Sequence, residues 1–438
     1  MTMWAPHAEG TPWSHLDEQN TAALIRQLSY VNENSAFYRV KWQKAGIDVK
    51  LVRTLGDLRE FPFTEKDELR FDQVTNGGLG SYACASLTET IRIHSSSGTT
   101  GRPSFIGVTR EDAAIWTESL TRVFTCMGVT EDDVFLHATG LSFFVGGLPV
   151  KDAIEGIGAA FVPIGTGASD RLVQANDALG GTVLFCTPSY ARYLADYMQQ
   201  RLGRDARSLG LRRVLLGAEP GGGVRAIREG IEAAFGCHVR EAYGNSDLLP
   251  AFAATCDAQG GNHLLTPDLL YLEVIDPDSG EVLPWETGVQ GELVGTSLRR
   301  WSAPLVRFRT RDHVVVNTQP CECGRSGPRI LCVGRTDDML IVSGVNIWPS
   351  AIADVVETFV PRVTGALRVI VNGYGPAVPP PLHIRVERAG DIDEQLGDEI
   401  ALAIRERLQV KAAIELVPMN SIPRSEMKTS LIDRIFPS

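Results

Sequence analysis

The spacing of hydrophobic positions changes several times along the chain, and each change marks a different kind of structure. Near the N-terminus, "TAALIRQLSYVNENSAFYRVKWQKAGI" carries apolar residues at helical intervals and stops at Gly46, which predicts a helical stretch. Farther on, helical patterns alternate with short apolar runs such as "GTVLFC" ahead of Thr187-Pro188 and "RRVLLGAE" around Leu215. That alternation predicts an α/β domain with largely parallel, layered sheets. From about Asp268 strand patterns take over, and "LLYLEVIDPDSGEVLPW" reads as a hairpin turning at Pro277-Asp278-Ser279-Gly280. From "GRTDDMLIVSGVNIWPSAIADVVETF" onward, strands ("LRVIVNGYG", "PLHIRVE", "AAIELVP") mix with helices ("DEQLGDEIALAIRERL") in what reads as a small α+β unit. No internal repeat or low-complexity tract interrupts this order.

Composition narrows the function more than the fold. A chain of 438 residues exceeds one ordinary core, and its 44% hydrophobic and 22% charged content is that of a globular protein. The formal net charge of -11 removes any general electrostatic reason to bind nucleic acid or an anionic membrane. An anionic ligand must therefore be held by local donors. No apolar run reaches the length of a membrane span, and "MTMWAPHAEGTPW" lacks a basic segment followed by an apolar one, so the expected location is cytoplasmic.

Eight cysteines are too sparse for a disulfide scaffold in so long a chain. Cys84, Cys126, Cys186 and Cys237 read as small buried residues, and Cys332 lies in an apolar strand. Cys321 and Cys323 differ, because Cys-Glu-Cys-Gly is a tight knuckle that lets two thiolates face one ion. Cys256 and His263 lie upstream in the same strand-rich region. Three thiolates and one imidazole make a closed tetrahedral site for a structural zinc ion. Four unrelated buried residues are the alternative.

"IRIHSSSGTTGRPSFIGVT" is the densest candidate for chemistry. Gly98 and Gly101 let the backbone approach a ligand closely, while Ser95, Ser96, Ser97, Thr99 and Thr100 offer hydroxyl and amide donors without bulk. Phosphate oxygens suit such a loop, although a solvated surface turn has the same composition. A Walker A loop is excluded, since Gly101-Arg102-Pro103 stands where Gly-Lys-Ser/Thr would be needed.

Further segments follow it in a fixed order: "LLGAEP", "EAYGNSD", "GELV", "RFRTRD", "GRTDDMLIVSGVNIWPS" and "SIPRSEMKTSLIDR". With the N-terminal "ENSAFYRVKWQKAGI" and "FPFTEKDELR", they resemble the adenylate-forming ligase superfamily and, within it, the phenylacetate–CoA ligase branch. The resemblance covers nearly the whole chain. It implies a large N-terminal adenylation domain over 1–336, with a strand-rich subdomain at about 252–336, and a small mobile C-terminal domain over 337–438.

The same resemblance implies the chemistry. A carboxylate attacks the α-phosphate of ATP to give an acyl-adenylate, and an acceptor then takes the acyl group. The loop Ser95–Arg102 would cradle the β- and γ-phosphates, with Arg102 in place of the usual lysine. Gly217, Ala218, Glu219 and Pro220 resemble the segment bordering adenine. Tyr243 resembles the aromatic beside the adenine, with Gly244, Asn245 and Ser246 completing the nucleotide contacts. Asp312 resembles the ribose-binding carboxylate, and Asp247 stands where the family usually has a glutamate that ligates Mg2+. Arg335 is expected in both a catalytic and a nucleotide-binding role, Asp337 at the hinge, and Lys428 at the α-phosphate and the attacking carboxylate. The acid is expected near His137, Ser142, Phe143, Phe144, Gly146 and Gly147, with an aromatic acid as the substrate class.

Coenzyme A is the expected acceptor. An amine, a hydroxyl or a carrier-protein thiol is the alternative, because every motif above serves both reactions. A non-catalytic nucleotide binder is a third reading, supported only by Arg102 and Asp247 and opposed by Lys428. A homodimer is one admissible assembly.

Overall fold

The computed structural model describes residues 2–95, 104–219, 221–343, 345–372, 377–390, 395–423 and 431–435. It divides into two compact units, one comprising Met1–Phe185, Arg240–Thr310 and Val314–Leu331, the other Cys186–Val239, Arg311–His313 and Cys332–Ser438.

The first unit opens on the helical stretch, which is two helices, Asp17–Asn34 and Ala36–Lys44. Ser35 breaks it: its backbone is extended, and its hydroxyl accepts from the Tyr38 N–H as an N-cap. Leu24, Leu28 and Val31 of the first helix and Tyr38 and Trp42 of the second are fully buried, so the apolar spacing persists across the break. Three short strands, Val134–His137, Ala160–Pro163 and Val183–Cys186, run parallel, with Phe135 opposite both Phe161 and Val183. The helices Leu148–Ile157 and Ser169–Leu179 lie between them in sequence, as parallel pairing requires. Phe124, from the helix Arg110–Cys126, meets Phe135 and Phe185 edge-on in the core.

The later part of this unit is antiparallel. Leu249–Ala254 pairs with Tyr243 and its neighbours on one side and with Asn262–Leu264 on the other, and Arg329 faces His263. The hairpin expected around residue 277 forms with Val274 opposite Leu283, and Leu270–Ile275 also pairs along its length with Gln290–Ser297.

In the second unit the strand Arg213–Leu216 accompanies the helices Pro188–Leu202 and Arg225–Phe235. The last hundred or so residues form a four-stranded sheet ordered Ala412–Val417, Leu382–Arg388, Val363–Asn372, Ile432–Ile435. Helices Pro349–Glu357 and Leu396–Leu408 supply Ile352, Val355, Ile400 and Ile404 to its core, alongside Leu367, Val369 and Ile384. No helix among the described residues is long and apolar enough to cross a membrane.

Candidate active site

The hydroxyl-rich segment joins the two strands of an isolated hairpin, Arg92–Ser95 and Phe105–Val108, with Ser95 opposite Phe105. Ser95 is buried and its N–H donates to the Phe143 carbonyl at 2.9 Å. Ser96, Ser97, Gly98, Thr99, Thr100, Gly101 and Arg102 lie outside the described residues.

Phe143 belongs to the segment expected to hold the acid. It is 44% exposed and its ring lies 5.9 Å from that of Phe105, so it is a surface ring and not core. Phe144 is half-buried and Ser142 exposed. His137 is fully buried between the rings of Phe161 and Phe185, with Nε2 2.8 Å from the Gly146 carbonyl and 2.9 Å from Thr139 Oγ1. Burial pushes its pKa down to about 4, so the ring is neutral. Gly147 is small for a local reason: a Cβ there would sit 2.6 Å from the Gly140 carbonyl oxygen.

Tyr243 packs edge-on against Phe252 at 5.3 Å. The pairing slips between Tyr243 and Asn245, and Gly244 at that slip has no room for a side chain, since a Cβ would fall 2.3 Å from the Pro250 carbonyl oxygen. The turn beyond is tied by the Asp247 N–H donating to Asn245 Oδ1 at 3.0 Å, with Ser246 between them half-buried. Asp247 Oδ2 then meets Lys66 Nζ at 2.6 Å. Lys66 starts the helix Lys66–Asn76 and is a partner of Asp247 that sequence reasoning missed. "FPFTEKDELR" marked its segment, but nothing local pairs it with a residue so far along the chain.

In the second unit, Gly217 donates its N–H to the Cys186 carbonyl at 3.2 Å. Ala218 follows in the left-handed region at φ 68°, exposed, a conformation that costs a non-glycine residue free energy and recurs at ligand sites. Glu219 accepts from Ser189 Oγ at 3.0 Å, and Pro220 lies outside the described residues. Asp312 is buried and its Oδ1 lies 3.3 Å from Arg335 Nη1. Arg311 beside it has φ 63°. Asp337 falls in the turn Thr336–Asp338, and "LIVSGVN" contains two short antiparallel strands, Leu340–Val342 and Val345–Ile347. Lys428 lies outside the described residues. Two of the three arginines that precede Asp312 in its motif act structurally: Arg307 pairs with buried Glu273 at 3.1 Å and Arg309 with buried Glu292 at 2.7 Å.

Cys256, His263, Cys321 and Cys323 converge, with one ligand atom from each lying within 4.8 Å of all the others. Cys256 Sγ is 3.6 Å from Cys321 Sγ, and Cys323 Sγ is 3.4 Å from His263 Nε2. Zinc–sulfur bonds of about 2.3 Å and zinc–nitrogen bonds of about 2.0 Å at tetrahedral angles put such atoms roughly 3.5–3.8 Å apart. The donor set and its spacing fit that ion. The knuckle is also strapped by the N-terminal segment: Arg325 Nε meets buried Glu9 at 2.7 Å, and the Ser326 N–H donates to the Glu9 carbonyl at 3.1 Å.

These arrangements coincide with known sequence families. The family model described as AMP-binding enzyme matches residues 39–297, and that described as AMP-binding enzyme C-terminal domain matches 344–434. The chain belongs to the AMP-binding enzymes. Within them it is of the phenylacetate–CoA ligase type: it is 32% identical to the phenylacetate-coenzyme A ligase of Thermus thermophilus, with 97% of each chain covered. The Escherichia coli phenylacetate-coenzyme A ligase is 30% identical over 94% of this chain and 93% of its own. A crystal structure of 2-hydroxyisobutyryl-CoA ligase with 2-HIB-AMP bound shares its fold at TM-score 0.92 and 28% identity, covering 99% of this chain and 92% of that one. The chain is thus an acid–CoA ligase of the adenylate-forming class, with the layered α/β fold of those enzymes.

Proposed function

We propose that this AMP-binding enzyme activates an aromatic carboxylic acid with ATP, forming an acyl-adenylate and pyrophosphate, and then transfers the acyl group to the thiol of coenzyme A. The observation that carries this reading is the end-to-end match to phenylacetate–CoA ligases, 32% identity over 97% of both chains. Exposed Phe143, with half-buried Phe144 beside it, offers apolar surface for a ring.

In-line displacement at phosphorus depends mainly on positioning and charge neutralisation. Ser95 to Arg102 would hold the β- and γ-phosphates, Asp312 would accept from the ribose hydroxyls, and Gly217 to Pro220 with Tyr243 would border the adenine. Lys428 would neutralise charge at the α-phosphate and the attacking carboxylate, with Arg335 beside Asp312. Asp247 offers a hard oxygen donor to Mg2+, which would screen the phosphate charge when bound. A division near residue 336, with rotation about Asp337, would withdraw Lys428 after the first step and bring residues 340–346 to the adenylate for the second. Zinc held by Cys256, His263, Cys321 and Cys323 would be structural, because those four ligands leave no open position.

The test is pyrophosphate exchange with a panel of aromatic acids and 2-hydroxyisobutyrate, followed by mass spectrometry of the products with and without coenzyme A. Aryl-CoA thioester is the expected product. Exchange confined to the aliphatic acid would overturn the aromatic assignment, and adenylate that never becomes thioester would overturn the acceptor.

A further inference from the structure

A carboxylate at the C-terminal end of a helix faces the negative end of the helix dipole, and burying it there is unfavourable unless a cation meets it. Glu357 is in that position: it ends the helix Pro349–Glu357, and its side chain is only 7% exposed. The Arg192 guanidinium, from the helix Pro188–Leu202, pairs with it. Two glycines shape the seat. Gly365 lies where the register of the strand Val363–Asn372 shifts, with φ 80°, and a Cβ there would stand 2.6 Å from Glu357 Oε2 and 2.7 Å from Arg192 Nη2. On the helix Arg225–Phe235, a Cβ on Gly230 would stand 3.4 Å from Glu357 Oε1.

These partners come from opposite sides of the division proposed near residue 336. Glu357 and Gly365 follow it and Arg192 and Gly230 precede it, yet all four lie within one compact unit. A rotation about Asp337 would carry the first two and leave the others behind. The ion pair therefore belongs to the arrangement in which these segments meet, and a turned arrangement leaves Glu357 without that cation at the end of its helix. The difference favours the arrangement that keeps the two charges together.

We propose that Arg192 and Glu357 are positioning residues for the reaction: their ion pair latches the C-terminal domain in the arrangement that serves one half-reaction and must open for the other. This rests on the domain-rotation reading above. A shift in the balance between two arrangements changes the ratio of the two half-reaction rates by the full factor, whichever arrangement is the more populated.

The test uses the full chain, with the acid identified by the panel, and measures both pyrophosphate exchange and the conversion of supplied acyl-adenylate to thioester. Glu357→Gln should change the ratio of the two rates by about tenfold, and Arg192→Met should change it in the same direction and carries the test if the glutamine variant fails to fold. The double variant should shift the ratio no further than either single one, because the two residues act as a pair. An unchanged ratio, an equal loss of both half-reactions, or additive shifts in the double variant would overturn the proposal. Asp337→Pro separates the two layers: if it leaves the ratio unchanged, the rotation reading falls and the latch with it. If it changes the ratio and neither latch variant does, only the latch falls.

Discussion

His137 is fully enclosed, and its charged form has lost water without gaining a carboxylate in return. Its folded pKa, about 4, lies below its ordinary 6.5, so between those values the unfolded chain binds more protons. The stability it confers is complete above pH 6.5 and is lost as pH falls through about 4, at up to about 1.4 kcal/mol per pH unit. His137→Asn should therefore flatten the acid limb of a denaturation-versus-pH curve; parallel curves for the two proteins would contradict this. Asp312 offers a second test. Asp312→Ala should raise the ATP requirement about tenfold or more, the scale of a lost charge-assisted hydrogen bond, and unchanged ATP dependence would remove it from the ribose site. At this scale a short motif singled out Asp312, and the structure brings Arg335 of a later motif to its carboxylate. The sequence was silent on Lys66, whose partner Asp247 is chosen by tertiary folding.

At the scale of elements, apolar spacing located the helices and strands but not their interruptions. Ser35 continues the polar run of Asn32, Glu33 and Asn34, and only its extended backbone and its bond to Tyr38 reveal a cap. The convergence of Cys256, His263, Cys321 and Cys323 was legible for the opposite reason, since thiols and imidazole are rare enough that their types alone suggested it. What the sequence could not supply was the route: Arg329 opposite His263 in a short antiparallel pairing carries the histidine to the cysteines. The proposed metal site predicts about one zinc per chain by elemental analysis. Cys321→Ser should lower both metal content and melting temperature, whereas metal-free protein of undiminished stability would refute it.

For the whole molecule, the collinear motifs made the family legible because adenylate-forming chemistry draws on segments spread along the entire chain. The two half-reactions should be separable by residue. Lys428→Ala is expected to abolish pyrophosphate exchange yet still convert a supplied acyl-adenylate to thioester. Asp337→Pro should form adenylate and stall before transfer. Near-normal exchange by Lys428→Ala would show that residue to be an ordinary solvated lysine.

The strap between Glu9 and Arg325 has a consequence for synthesis. Its two residues are 316 positions apart, and the N-terminal helices repeat the pattern, with Gln27 bonded to the Arg300 carbonyl across 273 positions and Asn20 to that of Pro267 across 247. A ribosome adding about 5–20 residues per second takes roughly 15–60 s to span the longest of these gaps. Until Pro267 is made, Glu9, Asn20 and Gln27 have none of these anchors, and the neighbouring apolar stripe of Leu24, Leu28 and Val31 must wait or be shielded. The segment that carries Glu9, Asn20 and Gln27 is therefore secured late relative to its synthesis, and slowing synthesis near residue 300 should increase capture of the nascent chain by chaperones.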